Sequence, residues 1–186
     1  MKICIVFGLF LFLTSHLYSQ DVVNLFDSTK YEASSVVEID SVNKDEIYSR
    51  VKYWIGTTYN SASKVIDLDD KSTEIYQIIL KPLMEKHCVY IKGFNEFTVF
   101  VSYTVIIRVK DNRVKIEMKD FYCKGTGQEY EEGYLVRKDR GKLKWGTMPE
   151  KCWIKLRKDC KKECIKLMVN FENSIKKSSV EVEDDF

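Results

Sequence analysis

The segment "FTVFVSYTVIIRVKDNRVKIEMKDFY", residues 97–122, carries the strongest structural signal in this chain. Apolar side chains occupy every second position of each half, which is the period of a β-strand with one buried face. Asp111 and Asn112, which both tolerate a positive φ, separate the two halves. The apolar positions are Phe97, Val99, Val101, Tyr103, Val105, Ile107 and Val109 in the first half, and Val114, Ile116, Met118 and Tyr122 in the second. Together they predict a β-hairpin with one continuous apolar face.

A two-residue turn at Asp111 and Asn112 fixes the register of this hairpin. A slip of one residue would turn the apolar set of one strand towards water, so the register is strongly specified. Asp120 interrupts the pattern opposite Tyr103, where it either accepts a hydrogen bond from the tyrosine hydroxyl or is turned outward by a β-bulge. The expected cross-strand pairs are Lys110–Arg113, Val109–Val114, Ile107–Ile116, Val105–Met118 and Val101–Tyr122.

The opposite face of the hairpin mixes cationic and apolar side chains. Arg108 and Lys115 lie near the turn, and Phe100, Ile106 and Phe121 lie further along the strands. Clustered apolar side chains on a surface need a covering segment or a partner. We therefore take these five residues as the candidate partner-binding face.

The flanking sequence supplies shorter elements. We expect strands over residues 31–39, 63–70 and 73–81, a helix over residues 42–59, and irregular structure over residues 82–96. The segment from Lys124 to Gly146 could cover the outer side of the hairpin, with an extra hairpin around Asp139–Gly141. These elements would place further strands beside the central hairpin and a helix against the sheet.

Two amphipathic helices should pack on the apolar face of the sheet. In the first, Asn43 and Glu46 are spaced as a capping box, and the stripe contains Ile47, Val51, Trp54, Ile55 and Tyr59. The second should span about residues 148–177, where Thr147 and Glu150 resemble a capping box. Its stripe contains Trp153, Leu156, Cys160, Cys164, Leu167, Met168, Phe171 and Ile175. Such stripes at helical spacing are typical of core packing.

The first residues resemble a secretory signal peptide. The apolar run from Ile3 to Leu13 would cross only about half of a ~30 Å hydrocarbon core as a helix. We expect cleavage after Ser19, with an uncleaved membrane anchor as the alternative. Cleavage leaves one α+β domain over residues 20–178, an acidic tail over residues 179–186, and no transmembrane span. The protein would then be exported, to the periplasm or the medium.

Charge and chemistry exclude several classes of function. Removing Lys2 with the signal peptide leaves 29 basic residues from 30 against 28 acidic ones, so no global charge favours nucleic acid. The basic run over residues 151–177 is typical of a solvated helix face, although an anionic partner or membrane surface would also fit it. No catalytic motif, phosphate loop or cofactor fingerprint is present. We expect no enzyme activity and no cofactor.

Metal binding is not favoured either. The turn with Asp69 and Asp70 continues into Lys71, where a calcium loop needs another oxygen ligand. Cys160 and Cys164, four apart on a helix, could offer two ligands to zinc, but His87 would be the only histidine left to add to them. We predict no metal site.

Cleavage would leave five cysteines, an odd number, so at least one should be unpaired within the chain. Cys160 and Cys164 should not bond to each other, because positions four apart on a helix hold their Cβ atoms about 5–6 Å apart whereas a disulfide needs about 3.8 Å. The pairing of the remaining cysteines stays open.

The predicted order is strand, helix, four antiparallel strands and a long helix, with both helices on one face of a curved sheet. The segments "EIYSRVKYWI", "VIDLDD" and "TVFVSYTVIIRVKDNRVKI" are similar to a bacterial domain of unknown function with a TATA-binding-protein-like (TBP-like) fold, common in exported proteins of Bacteroidetes type. The resemblance covers about residues 30–123 and implies this α+β fold. No catalytic residue stands among its motifs, and the fold does not imply DNA binding.

Two functional hypotheses follow. The first is a non-catalytic binding module of the cell envelope, whose partner is a protein or another envelope component. The alternative is a helix-grip pocket that holds a small apolar ligand between the C-terminal helix and the sheet.

Overall fold

A computed structural model describes residues 25–90, 95–125, 131–137, 142–143, 146–147 and 149–177. For residues 88–90, 95–97, 125, 131–132, 142–143 and 146–147 only the backbone is described. The predicted signal peptide, the acidic tail and the hairpin expected around Asp139–Gly141 lie outside the described residues.

The element order confirms an α+β fold. Its elements are β1 (Phe26–Asp27), β2 (Glu32–Glu38), α1 (Lys44–Thr58), α2 (Ala62–Val65), β3 (Ile66–Asp70), β4 (Tyr76–Leu80), β5 (Leu83–Tyr90), β6 (Asn95–Lys110), β7 (Arg113–Gly125), β8 (Glu131–Tyr134), β9 (Lys142–Leu143), β10 (Gly146–Thr147) and α3 (Glu150–Lys176). None of the described helices is both long and apolar enough to cross a membrane.

The long hairpin β6–β7 is the centre of an eight-stranded antiparallel sheet with the order β1-β2-β7-β6-β4-β3. The free side of β6 pairs with both β4 and β5, and the free side of β7 pairs with both β2 and β8. The irregular structure predicted for residues 82–96 was therefore wrong. Lys86 and His87 obscure the apolar alternation of β5, and Pro82 precedes the strand without interrupting its ladder.

The hairpin register is confirmed from the turn as far as Val105–Met118, but the predicted pair Val101–Tyr122 was wrong. Val101 pairs with Cys123, because β7 carries a bulge between the pairs Thr104–Lys119 and Ser102–Tyr122. Asp120 is the exposed bulge residue, with a φ of 57°. Of the two interpretations of Asp120, the structure supports the bulge.

Helices α1 and α3 pack together on one face of the sheet. The predicted apolar stripes of both helices are buried, apart from the partly buried Tyr59 and Leu167. Two hydrogen bonds join the helices: Trp54 Nε1 donates to Asn170 Oδ1 at 2.8 Å, and Arg50 Nη1 donates to the carbonyl oxygen of Ile175 at 2.8 Å. The core therefore lies between the two helices and one face of the sheet.

One of the two predicted capping boxes is supported at its N-cap. Asn43 Oδ1 accepts a hydrogen bond from the backbone N–H of Glu46 at 2.9 Å and caps α1. The box predicted for α3 was wrong, since the N-cap is Pro149, without a side-chain capping bond. Thr147 belongs to β10 and stands two residues too early to cap this helix.

Candidate outer face of the sheet

The face of the sheet opposite α1 and α3, here called the outer face, carries an apolar row. Ile106 of β6 is only 9% exposed, yet it lies outside the core that its neighbours Val105 and Ile107 enter. It pairs with Ile79 of β4, which pairs in turn with Leu68 of β3. Because directly opposed residues of an antiparallel sheet share a face, Leu68, Ile79 and Ile106 form one row across three strands.

A charged row lies beside the apolar row. Arg108 forms an ion pair with Glu117, and Lys115 Nζ lies 2.9 Å from the other carboxylate oxygen of Glu117. Arg108 Nε also donates to Gln77 Oε1 at 3.2 Å. Burial raises the pKa of Glu117, but the hydrogen bonds from Lys115 and Arg108 more than offset it, so this pKa is lowered. Asp70 lies opposite Gln77 and therefore in the same row, so the carboxylates of Asp70 and Glu117 balance the two cations.

The structure places four of the five predicted site residues on the outer face. Ile106, Arg108 and Lys115 lie in or beside the apolar row, and Phe100 lies further along β6 opposite Lys124. Phe121 was assigned wrongly, because it is 2% exposed and belongs to the core. The bulge at Asp120 shifts the alternation of β7 by one residue, which turns Phe121 inward.

Sequence reasoning missed several apolar members of this face. Val36, which is 54% exposed, lies opposite Lys115 and therefore on the outer side of β2. Tyr134 of β8 packs edge-on against Tyr122 at a centroid distance of 5.0 Å. β8 thus extends the sheet beside β7, where we had expected the segment after Lys124 to cover it. Only the pairing of the flanking strands, which the sequence does not specify, reveals these neighbours.

The acidic turn contributes to the fold. Asp69 accepts hydrogen bonds from the hydroxyl of Tyr48 at 2.6 Å and from Lys52 Nζ at 2.9 Å, and Asp70 accepts from the backbone N–H of Ser72 at 2.8 Å. Lys71 Nζ lies 4.2 Å from the centre of the Tyr48 ring. Burial raises the pKa of Asp69, but the bonds from Tyr48 and Lys52 offset it and leave the pKa lowered. These contacts attach the β3–β4 hairpin to α1.

The described residues contain no group of three or more His, Cys, Asp or Glu side chains that could hold a metal ion. An open, mostly polar cleft of about 270 Å³ lies beside β1 and β2, where Lys30, Glu32 and Lys119 are among its lining residues. A second cavity, between α3 and β5–β6, has a volume of about 10 Å³. This volume is close to the space that one water molecule requires.

The buried thiols are chemically protected. Cys160 and Cys164 are both reduced and fully buried, while Cys152 is disulfide-bonded. Cys160 and Cys164 therefore do not bond to each other, as the spacing argument predicted. Burial raises the pKa of the Cys160 thiol and of the Cys164 thiol to about 12. The Cys164 thiol lies 3.4 Å from the sulfur of Met118.

We expect iodoacetamide to leave Cys160 and Cys164 unmodified in the native protein at pH 7.5 and to alkylate both in 8 M urea, because the thiolate is the reactive form. Peptide mapping without reductant measures each site and also identifies the cysteine bonded to Cys152. Rapid labelling of either thiol in the native protein, at a rate similar to that in urea, would contradict the buried placement.

The geometry defines an α+β domain in which helices cover one face of an antiparallel sheet, as in the TBP-like fold. Residues 34–124 match the family model described as a domain of unknown function (DUF4468) with TBP-like fold, and this segment of the chain has that fold. This result confirms the resemblance found in the sequence.

Two solved structures are similar to this chain. A TBP-like protein from Parabacteroides distasonis has 15% sequence identity with this chain and a TM-score of 0.56. The match covers 83% of this chain and 97% of that protein's chain. A DUF4468 family protein from Bacteroides ovatus has 12% sequence identity with this chain and a TM-score of 0.56. The match covers 79% of this chain and 86% of that protein's chain. None of the curated proteins compared with the chain matches it. At these identities the likeness concerns the fold alone.

Proposed function

We propose that this protein is a non-catalytic binding module of the bacterial cell envelope, exported to the periplasm or beyond. The predicted signal peptide supports export, and the bacterial origin of the two similar structures agrees with this setting. The sequence lacks a catalytic motif, and the acidic residues of the β3–β4 turn bind to neighbouring side chains of the fold. Both facts favour binding over catalysis.

The apolar row of the outer face is the observation that carries the proposal. Leu68 is 41% exposed, and the row that it begins continues through Ile79 to Ile106. Protein interfaces typically place an apolar centre inside a polar rim, and arginine is enriched in them. Arg108 and Lys115 lie beside the apolar row as donors for a partner with carboxylates around an apolar patch. We therefore assign the face to a protein partner.

The packing of the interior supports this choice over a ligand pocket. Trp54, Trp153 and Phe171 are fully buried between the helices and the sheet. The cavity beside α3, at about 10 Å³, is far below the roughly 300 Å³ at which small-molecule pockets begin. In the described part of the chain, the space that a helix-grip ligand would need is filled by side chains.

A matched pair of surface substitutions tests the binding face. Leu68→Glu places a carboxylate in the apolar row, whereas Tyr53→Glu makes a similar change at a 54% exposed position on α1, away from the outer face. With each variant immobilised, we expect mass spectrometry of proteins captured from solubilised envelopes to show one acidic partner reduced about tenfold by Leu68→Glu and retained by Tyr53→Glu.

Several outcomes would contradict this proposal. Equal capture by both variants would mean that the partner binds elsewhere. Capture of a protease-resistant glycan or lipid in place of a protein would make the protein partner wrong. Circular dichroism of both variants provides the control for folding, since exposed positions should change the free energy of unfolding by only about 0.5 kcal/mol.

A further inference from the structure

The solvent side of α3 carries a row of lysines, here called the lysine stripe. At about 100° per residue, its five members fall within an arc of about 80° and extend over roughly 22 Å of the helix. All are exposed, and the buried residues of α3 lie on the opposite side of the helix. The members of the stripe are Lys151, Lys155, Lys158, Lys162 and Lys166. Much of the basic run seen in the sequence is therefore concentrated on one face, which points away from the sheet.

Little of this charge is neutralised within the protein. Lys155 Nζ donates to Asp159 Oδ2 at 2.7 Å, four residues further along the helix. In the part of the chain that the structure describes, the other four lysines of the stripe form no ion pair. The stripe therefore keeps a concentrated positive charge, although the formal net charge of the whole chain is only +2.

The stripe is unfavourable for the helix that carries it. Consecutive members are three or four residues apart, which is the spacing at which like charges on a helix repel each other. Lys151 also lies in the first turn of α3, where the positive end of the helix dipole disfavours a cation. Local preferences that are violated without a gain within the fold are expected at functional sites. An anionic surface outside the protein would supply that gain.

The side chains favour a membrane surface over a soluble anionic partner. Every member of the stripe is a lysine, a residue depleted from protein interfaces, whereas arginine is enriched there and forms paired contacts with carboxylates. Ile154, which is 58% exposed, lies between Lys151 and Lys158 on the helix surface. Helices that lie on anionic bilayers combine lysines at the headgroups with apolar side chains that enter the acyl boundary.

We propose that the lysine stripe binds the surface of a membrane that contains anionic lipids, with Ile154 inserted between the headgroups. Because α1 and α3 pack on the side of the sheet opposite the outer face, the outer face then points away from the bilayer and stays open to a partner. The inference goes beyond the proposed binding function and does not depend on it, since the stripe and the outer face lie on opposite sides of the domain.

Vesicle co-sedimentation of the chain from Gln20 onward tests this inference, because that chain lacks the apolar run that would itself bind lipid. We expect binding to vesicles of equimolar phosphatidylglycerol and phosphatidylcholine, but not to vesicles of phosphatidylcholine alone. Each lysine near an anionic surface strengthens binding about fivefold, so Lys158→Gln combined with Lys162→Gln should weaken it about 25-fold. The matched control, Lys81→Gln combined with Lys119→Gln, removes the same charge and should weaken binding by about twofold or less.

The control lysines are chosen for their position. They follow the core residues Leu80 and Met118, so they point away from the helices. The sheet and the helices separate them from the bilayer by more than the screening length, which is about 10 Å at about 0.1 M salt.

Thermal unfolding followed by circular dichroism provides the control for folding. Lys158→Gln combined with Lys162→Gln should leave the Tm unchanged or raise it, because the substitutions relieve repulsion between like charges. A marked fall in the Tm would give the stripe a structural role and overturn the inference.

Two further results would overturn the inference. One is an equal effect of the two double variants, or equal binding to both kinds of vesicle, since the stripe would then not be the contact. The other is failure to bind anionic vesicles together with tight binding of poly-glutamate, which would make the partner a soluble polyanion. Ile154→Ser separates the two kinds of partner, because it should weaken vesicle binding severalfold and leave any binding of poly-glutamate unchanged.

Discussion

Replacing Trp54 by alanine should lower the free energy of unfolding by about 3–5 kcal/mol, because a fully buried aromatic side chain is lost and its cavity collapses only partly. Trp54 is 0% exposed and lies where α1 meets α3. Its ring contacts Phe171 edge-on at a centroid distance of 4.9 Å and Tyr59 at 5.8 Å. Domains of this size are stable by only about 5–15 kcal/mol, so the variant should lose much of its resistance to urea.

Two control variants separate the ring from its hydrogen bond. Asn170→Ala removes the acceptor of the Trp54 N–H, and Trp54→Phe removes the donor while keeping a ring in the core. Each should cost about 0.5–1.5 kcal/mol for the hydrogen bond, with a further packing loss in Trp54→Phe. Urea unfolding followed by circular dichroism measures all three. A loss in Trp54→Ala no larger than in Asn170→Ala would show that the ring is not a core element.

The elements that the sequence predicts best are those with long, uninterrupted periods. The stripes of α1 and α3 each bury the face that their spacing defines, because a helical period over many residues leaves one way to hide the apolar side chains. The hairpin register near Asp111 and Asn112 follows in the same way, since the two-residue turn fixes which residues oppose each other.

The sequence is less informative where two patterns are equally apolar. Beyond Asp120, the strand can alternate in two ways. One turns Tyr122 into the core and the other turns Phe121 and Cys123 into it, and both bury apolar side chains. Only the bulge distinguishes these choices, and Asp120 tolerates the left-handed conformation that the bulge requires. The strand β5 was missed for a related reason, since Lys86 interrupts its apolar alternation.

The candidate site was predictable on the central hairpin and nowhere else. Ile106, Arg108 and Lys115 belong to one hairpin, so their common face follows from the alternation of two strands. Leu68 and Ile79 join them only because β4 pairs with β6 and β3 pairs with β4. This order of strands depends on long-range contacts, and local sequence patterns do not encode it.

The bulge at Asp120 turns Phe121 into the core, where its loss should have a large effect on stability. Phe121 stacks on Tyr103 at a centroid distance of 5.3 Å and contacts Tyr31 edge-on at 5.5 Å. Phe100 is the same residue type on the neighbouring strand, but it lies on the outer face and is only partly buried. These two phenylalanines therefore form a matched pair in which one lies in the core and the other on the surface.

We expect Phe121→Ala to lower the free energy of unfolding by about 3–5 kcal/mol, and Phe100→Ala to lower it by about 1 kcal/mol or less. The difference arises because a ring removed from the core leaves a cavity, whereas water fills the space that a ring on the outer face leaves. Urea unfolding of the two variants under the same conditions measures it. Equal losses, or a larger loss for Phe100→Ala, would mean that β7 runs without the bulge and that Phe121 faces outward. The outer face would then regain Phe121, and the apolar surface available to a partner would extend along both strands of the central hairpin.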